Sequence, residues 1–173
     1  PPHLGDPTLS NHLSPYNCST LQLCQRFATS LERIEILKGL LNFRERMRQE
    51  GITSGFQWLD GSFIENIEAK ENRAPRDLDL VTFFGGLTLE QQNVWRETFP
   101  EFINSQLAKE VYKLDHYFVD YCFRPDVTVE YSRYWIQLFT HNRAGVWKGI
   151  LRLELNTPEI DSEAFNFLNQ VEL

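Results

Sequence analysis

Two short patterns carry residues able to handle phosphate: Gly61-Ser62, closing one apolar run, and Asp77-Leu78-Asp79, opening the next. Side chains on a strand alternate between faces, so Asp77 and Asp79 share one side, with Leu78 and Leu80 on the other. Two carboxylates about 7 Å apart along a strand suit hard, oxygen-seeking Mg²⁺, which keeps water and substrate phosphate as further ligands. Gly61 has no Cβ, so backbone there can approach a phosphate closely. Ser62 adds a hydroxyl, and a helix starting after it would favour an anion at its N-terminus. One side of such a pocket supplies cations and the other holds the anion.

These residues need two neighbouring strands to face each other. Gly55–Leu59 reads as the first and Leu78–Phe84 as the second, with a short helix at Phe63–Lys70 and a loop at Glu71–Arg76 between them. Arg73 and Arg76 in that loop are candidate phosphate cations, and Lys148, at the start of a later strand, is another. Asp120 lies inside the apolar, aromatic run Tyr117–Phe123. A carboxylate buried there would need a partner. By itself it reads equally well as an edge-strand residue facing water. Asp115 lies five residues earlier, on the opposite face of a regular strand, and ranks second.

The Gly-Ser and Asp-x-Asp pair resembles the signature of the DNA polymerase β-like nucleotidyltransferase superfamily. A closer likeness is to small bacterial nucleotidyltransferase-like domains with a similar Leu59-Asp60-Gly61-Ser62-Phe63 followed by Asp-x-Asp. The segment Asn142–Ile150 is similar to that group's Lys-Gly-Ile stretch, and the likeness spans roughly residues 30–155. The resemblance implies a nucleotidyltransferase fold, with Asp120 as the third carboxylate beside Asp77 and Asp79. These three would hold Mg²⁺, two ions when a nucleoside triphosphate is bound, and do the chemistry. Gly61, Ser62, Arg76 and Lys148 would bind the nucleotide, ATP being the first expectation. The acceptor would be a hydroxyl of a protein, a tRNA or a small molecule, in a toxin–antitoxin or phage-defence setting with a partner effector. The competing expectation is a nucleotide-binding or antitoxin module with little or no transfer.

Composition narrows the classes. A chain of 173 residues, 42% hydrophobic with 13 Phe, 4 Trp and 6 Tyr, suits one globular domain with a real core. A net charge of −7 argues against a general nucleic-acid or anionic-membrane surface. Cys18, Cys24 and Cys122 are sparse and the four histidines scattered, which is no zinc or disulfide framework. With no signal peptide opening the chain and no membrane-length apolar run, the expectation is a cytoplasmic protein without a membrane partner.

Residues 1–17, rich in Pro, Asn, His and Ser, read as an extended arm, and 18–173 as a single domain. Helices are expected at about 20–28 and 31–49, the second opened by a Thr29–Glu32 capping box. Its Arg33, Lys38, Arg44, Arg46 and Arg48 read as a solvated face. Thr88 with Gln91 caps a helix through Thr98, and Pro100 starts another to about Lys109. A strand at His116–Phe123, a helix at Val129–Thr140, a strand at Trp147–Leu155 and a helix from Pro158 complete the chain. This order predicts an α+β (α/β-like) fold, a mixed sheet flanked by helices.

Overall fold

The computed structural model describes residues 2–172; Pro1 and Leu173, the outer ends of the expected arm and domain, lie outside the described residues. The strands are β1 (Tyr16–Asn17), β2 (Gly55–Asp60), β3 (Leu78–Phe84), β4 (Leu114–Asp120) and β5 (Leu151–Glu154). They form one five-stranded sheet in the order β1-β5-β2-β3-β4. β2 runs antiparallel to both β3 and β5, while β4 is parallel to β3. The sheet is mixed and helices flank it, an α+β fold.

The helices are α1 (Thr20–Phe27), α2 (Leu31–Gln49), α3 (Ile67–Glu71), α4 (Leu89–Asn93), α5 (Trp95–Thr98), α6 (Pro100–Ile103), α7 (Ser105–Tyr112), α8 (Pro125–Phe139) and α9 (Pro158–Gln170). Alternation along β3 divides the interior in two. Leu78, Leu80 and Phe84 enter the larger core, with Leu37, Leu40 and Phe43 of α2. Val81 and Phe83 turn the other way and meet Trp58, Val119 and the α8 residues Trp135 and Phe139. Each strand residue so buried contributes about 1.5–3 kcal/mol. The two cores hold the sheet from both faces.

Several expectations shift. Ser30, not Thr29, caps α2, accepting a hydrogen bond from the Arg33 amide. Arg33 and Arg44, read as solvated, are only 3% and 1% exposed. Asn104 interrupts the helix expected after Pro100, its side chain capping α7 at the amides of Gln106 and Leu107. Lys113 then takes a left-handed φ of 59° that ends α7, so β4 starts at Leu114 rather than His116. The N-terminal arm adds an edge strand, with Tyr16 and Asn17 paired in parallel to Leu151 and Arg152. Among the described residues no helix is long and apolar enough to cross a membrane.

Candidate active site

Strand register assembles the site. Asp60 pairs with Asp79 across β2 and β3, and Asp79 pairs with Asp115 across β3 and β4. Directly paired residues share a face, so three carboxylates stand side by side on neighbouring strands, about 4.8 Å apart per strand. Their face is the one that α8 covers farther along. Asp77 joins from just before β3, where Lys109 of α7 forms an ion pair with it.

The turn after β2 closes on this row. Gly61 has φ 86°, and a Cβ there would fall 1.7 Å from Oδ2 of Asp79. Only glycine lets the turn lie against that carboxylate. Ser62 opens a three-residue 3-10 turn, Ser62–Ile64, rather than the helix expected from Phe63. Arg33 holds this turn from beneath: its Nη1 donates to the Phe63 carbonyl at 2.6 Å and its Nη2 to the Glu65 carbonyl at 2.7 Å. Its Nε and Nη2 also donate to the Glu68 carboxylate.

Lys148 arrives from the segment before β5. Its Nζ lies 2.8 Å from Oδ2 of Asp60 and 3.7 Å from Oε1 of Glu65, and donates to the Gly61 carbonyl at 3.4 Å. Asn142 donates to Glu65 at 3.4 Å, so the segment that resembles the Lys-Gly-Ile stretch abuts the Gly-Ser turn. Of the residues singled out in the sequence, Gly61, Ser62, Asp77, Asp79 and Lys148 are brought together. Arg76 is exposed and forms no ion pair among the described residues; Arg73 turns to Glu71.

Asp120 is a correction. It pairs with Phe84, five residues beyond the Asp79–Asp115 pair, and so on the opposite face of β4. Its carboxylate accepts from Gln92 Nε2 at 2.7 Å and from the Cys122 amide at 2.8 Å. The third carboxylate is Asp115. A Leu-Asp pair opens both β3 and β4, Leu78-Asp79 and Leu114-Asp115, and the strands align on it. That repeat was the available signal. Asp60 ends β2 beside Asp79, one residue past the strand expected from the sequence.

A scan against family models matches residues 2–154. The chain belongs to the family of unknown function DUF6932. The match spans the arm, the four carboxylates, Lys148 and β5. Neither the curated proteins nor the solved structures gave a match.

The row carries more negative charge than its surroundings neutralise. Burial, then the charges of Asp77 and Asp115, push Asp79 up to about 6, against the pull of Lys148 and Lys109. Asp60 is 4% exposed; burial pushes it up to about 7 despite its bond to Lys148. Its Oδ1 is buried without a hydrogen bond among the described residues. Such an excess of buried anionic oxygen is relieved by protons or by a cation. An all-oxygen donor set fits a hard dication such as Mg²⁺ in its chemistry. As arranged, no three His, Cys, Asp or Glu groups among the described residues converge to hold a metal. Lys109 engages Asp77 and Lys148 engages Asp60, so a dication would have to displace Lys109.

Proposed function

We propose that this chain is a Mg²⁺-dependent nucleotidyltransferase of the cytoplasm, moving a nucleoside monophosphate from ATP or another triphosphate to a hydroxyl. The observation that supports it most is the row Asp60, Asp79 and Asp115 on adjacent strands, with Gly61 held against Asp79. Asp77, Asp79 and Asp115 would hold Mg²⁺, whose positive charge stabilises the charge that builds up on the phosphate oxygens. Gly61 and Ser62 would seat the triphosphate, and Lys148, partly freed from Asp60, would pair with its oxygens. The acceptor hydroxyl attacks the α-phosphorus, the bond to the β-phosphate breaks and pyrophosphate leaves. Asp115, in place of Asp120, takes the hydroxyl proton.

A second reading is a nucleotide-binding or antitoxin module that has lost transfer and acts through a partner. The two lysine ion pairs on Asp77 and Asp60 favour it, because built-in cations neutralise the charge that would otherwise attract a metal. One experiment separates the two. Purified chain is given Mg²⁺ and each α-labelled triphosphate, with host RNA, protein and small-molecule fractions. Label transfer that Asp79→Asn and Asp115→Asn abolish supports the enzyme. Mg²⁺-dependent binding without transfer supports the module, and neither binding nor transfer ends both.

A further inference from the structure

The edge of the sheet at β4 carries a second feature. β4 ends the strand order, so among the described residues its outer side has no neighbouring strand. The Tyr121 amide donates to the Phe84 carbonyl, and the Lys113 carbonyl accepts from the Leu78 amide. Odd-numbered residues of β4 therefore bond to β3, and the main-chain groups of His116 and Phe118 point outward. Neither residue's main chain forms another backbone bond among the described residues.

This edge is recessed. It forms the floor of a groove of about 580 Å³. Leu89 of α4 and Ile103 of α6 line one side, and Phe123 and Tyr131, on and before α8, line the other. All four are exposed. A slot with an unpaired strand edge as its floor and apolar walls above and below has the shape of a missing strand. The side chains of an inserted strand would point alternately to the two walls.

We propose that this groove docks an extended peptide of a partner protein as a sixth strand on β4, with alternating apolar residues and basic flanks. Charge selects this occupant. No Lys or Arg lines the groove, which has Asp120 at one end. At the other, Tyr117 lies two residues from Asp115 on the same face of β4. An RNA backbone needs cations, whereas acidic ends and a chain net charge of −7 attract a basic peptide. The walls that make the slot also keep the sheet edge of a second copy, walled in the same way, from reaching β4. The peptide's end at Tyr117 would lie beside the carboxylate row. Docking itself does not depend on nucleotidyl transfer.

The test pans a displayed library of random heptapeptides on the full chain and measures labelled winners by fluorescence anisotropy. Enriched peptides alternate apolar residues between basic ends. Tyr131→Arg, on an exposed helix face, weakens them at least tenfold while circular dichroism stays unchanged. N-methylation of every second peptide amide abolishes binding, and methylation of the intervening amides does not. A library without enrichment overturns the proposal, as do binders indifferent to both Tyr131→Arg and N-methylation. It also falls if a labelled uridine oligonucleotide binds the groove in the peptides' place, or if sedimentation shows a dimer that Tyr131→Arg dissolves. Peptide binding and label transfer are read separately, so the failure of either leaves the other standing.

Discussion

Two clusters of charge lie on opposite faces of the sheet, one buried and one half-buried, and their chemistry is opposite. On the α2–α9 side, Arg44 donates to Asp161, Gln57, Thr157 and the carbonyls of Glu154 and Leu155 at 2.8–3.1 Å. Asp161 also accepts from Thr20 and Thr157 and pairs with Arg48. Each charge there is matched. On the other face, Asp60, Asp79 and Asp115 stand in register with one oxygen of Asp60 unbonded among the described residues. Burial and mutual repulsion push Asp79 up to about 6. A saturated network locks the fold, while an unsaturated one stores affinity for something outside the chain.

Arg44→Met breaks the saturated side and should have the largest effect. It leaves the Asp161 carboxylate buried with Arg48 as its one remaining cation, at a cost of about 3–5 kcal/mol. Urea denaturation measures it; a loss below 1 kcal/mol would show that the network carries little. Gly61→Ala strains the other side. A Cβ at φ 86°, 1.7 Å from the Asp79 oxygen, should cost about 1–3 kcal/mol and remove Mg²⁺-dependent nucleotide binding. Full affinity in that variant would separate the turn from the site.

His116 sharpens the comparison from the saturated side, because its partner Thr82 accepts from Gln57, which in turn accepts from Arg44. Its Nε2 bonds Thr82 at 2.9 Å, and burial pulls its pKa from 6.5 down to about 3. The unfolded chain then binds a proton that the folded chain refuses. Stability from this residue is full above about pH 6.5 and is lost as the pH falls toward 3. In His116→Gln that part of the acid dependence should vanish, which thermal melts across this range would show. Equal slopes in both proteins would assign the acid sensitivity elsewhere.

Asp79→Asn should change stability least. It removes a repelled charge, so the melting temperature in chelator holds or rises. The increase that Mg²⁺ and triphosphate give the native protein should disappear. A retained increase would place the ligand elsewhere.

Much of this was legible in the chain. The limits of β3, the turn at Gly61-Ser62, the capping box at Thr88 and the shared side of Asp77 and Asp79 follow from period-two alternation and local backbone chemistry. Those rules act over a few residues. The burial of Arg33 and Arg44 was hidden, because a helical charge looks the same whether it meets water or a carboxylate 117 residues away, as Arg44 meets Asp161. The choice of Asp115 over Asp120 was hidden for the same kind of reason. Local alternation puts the two on opposite faces but does not say which is level with Asp79.

The sequence by itself determined that two strands would present Gly-Ser and Asp-x-Asp, and that aromatic and aliphatic residues would fill a core around them. Tertiary structure alone decided how the strands line up. α2 and α7 approach so closely that a Cβ on Gly39 would lie 2.0 Å from the Tyr112 carbonyl. The chain then leaves α7 at Lys113 with Leu114 level with Leu78. Register depends on hydrogen bonds between distant segments, and a one-residue slip would turn every side chain to the other face. That alignment brings Asp60, Asp79 and Asp115 into one row and leaves Asp120 at the far end of β4.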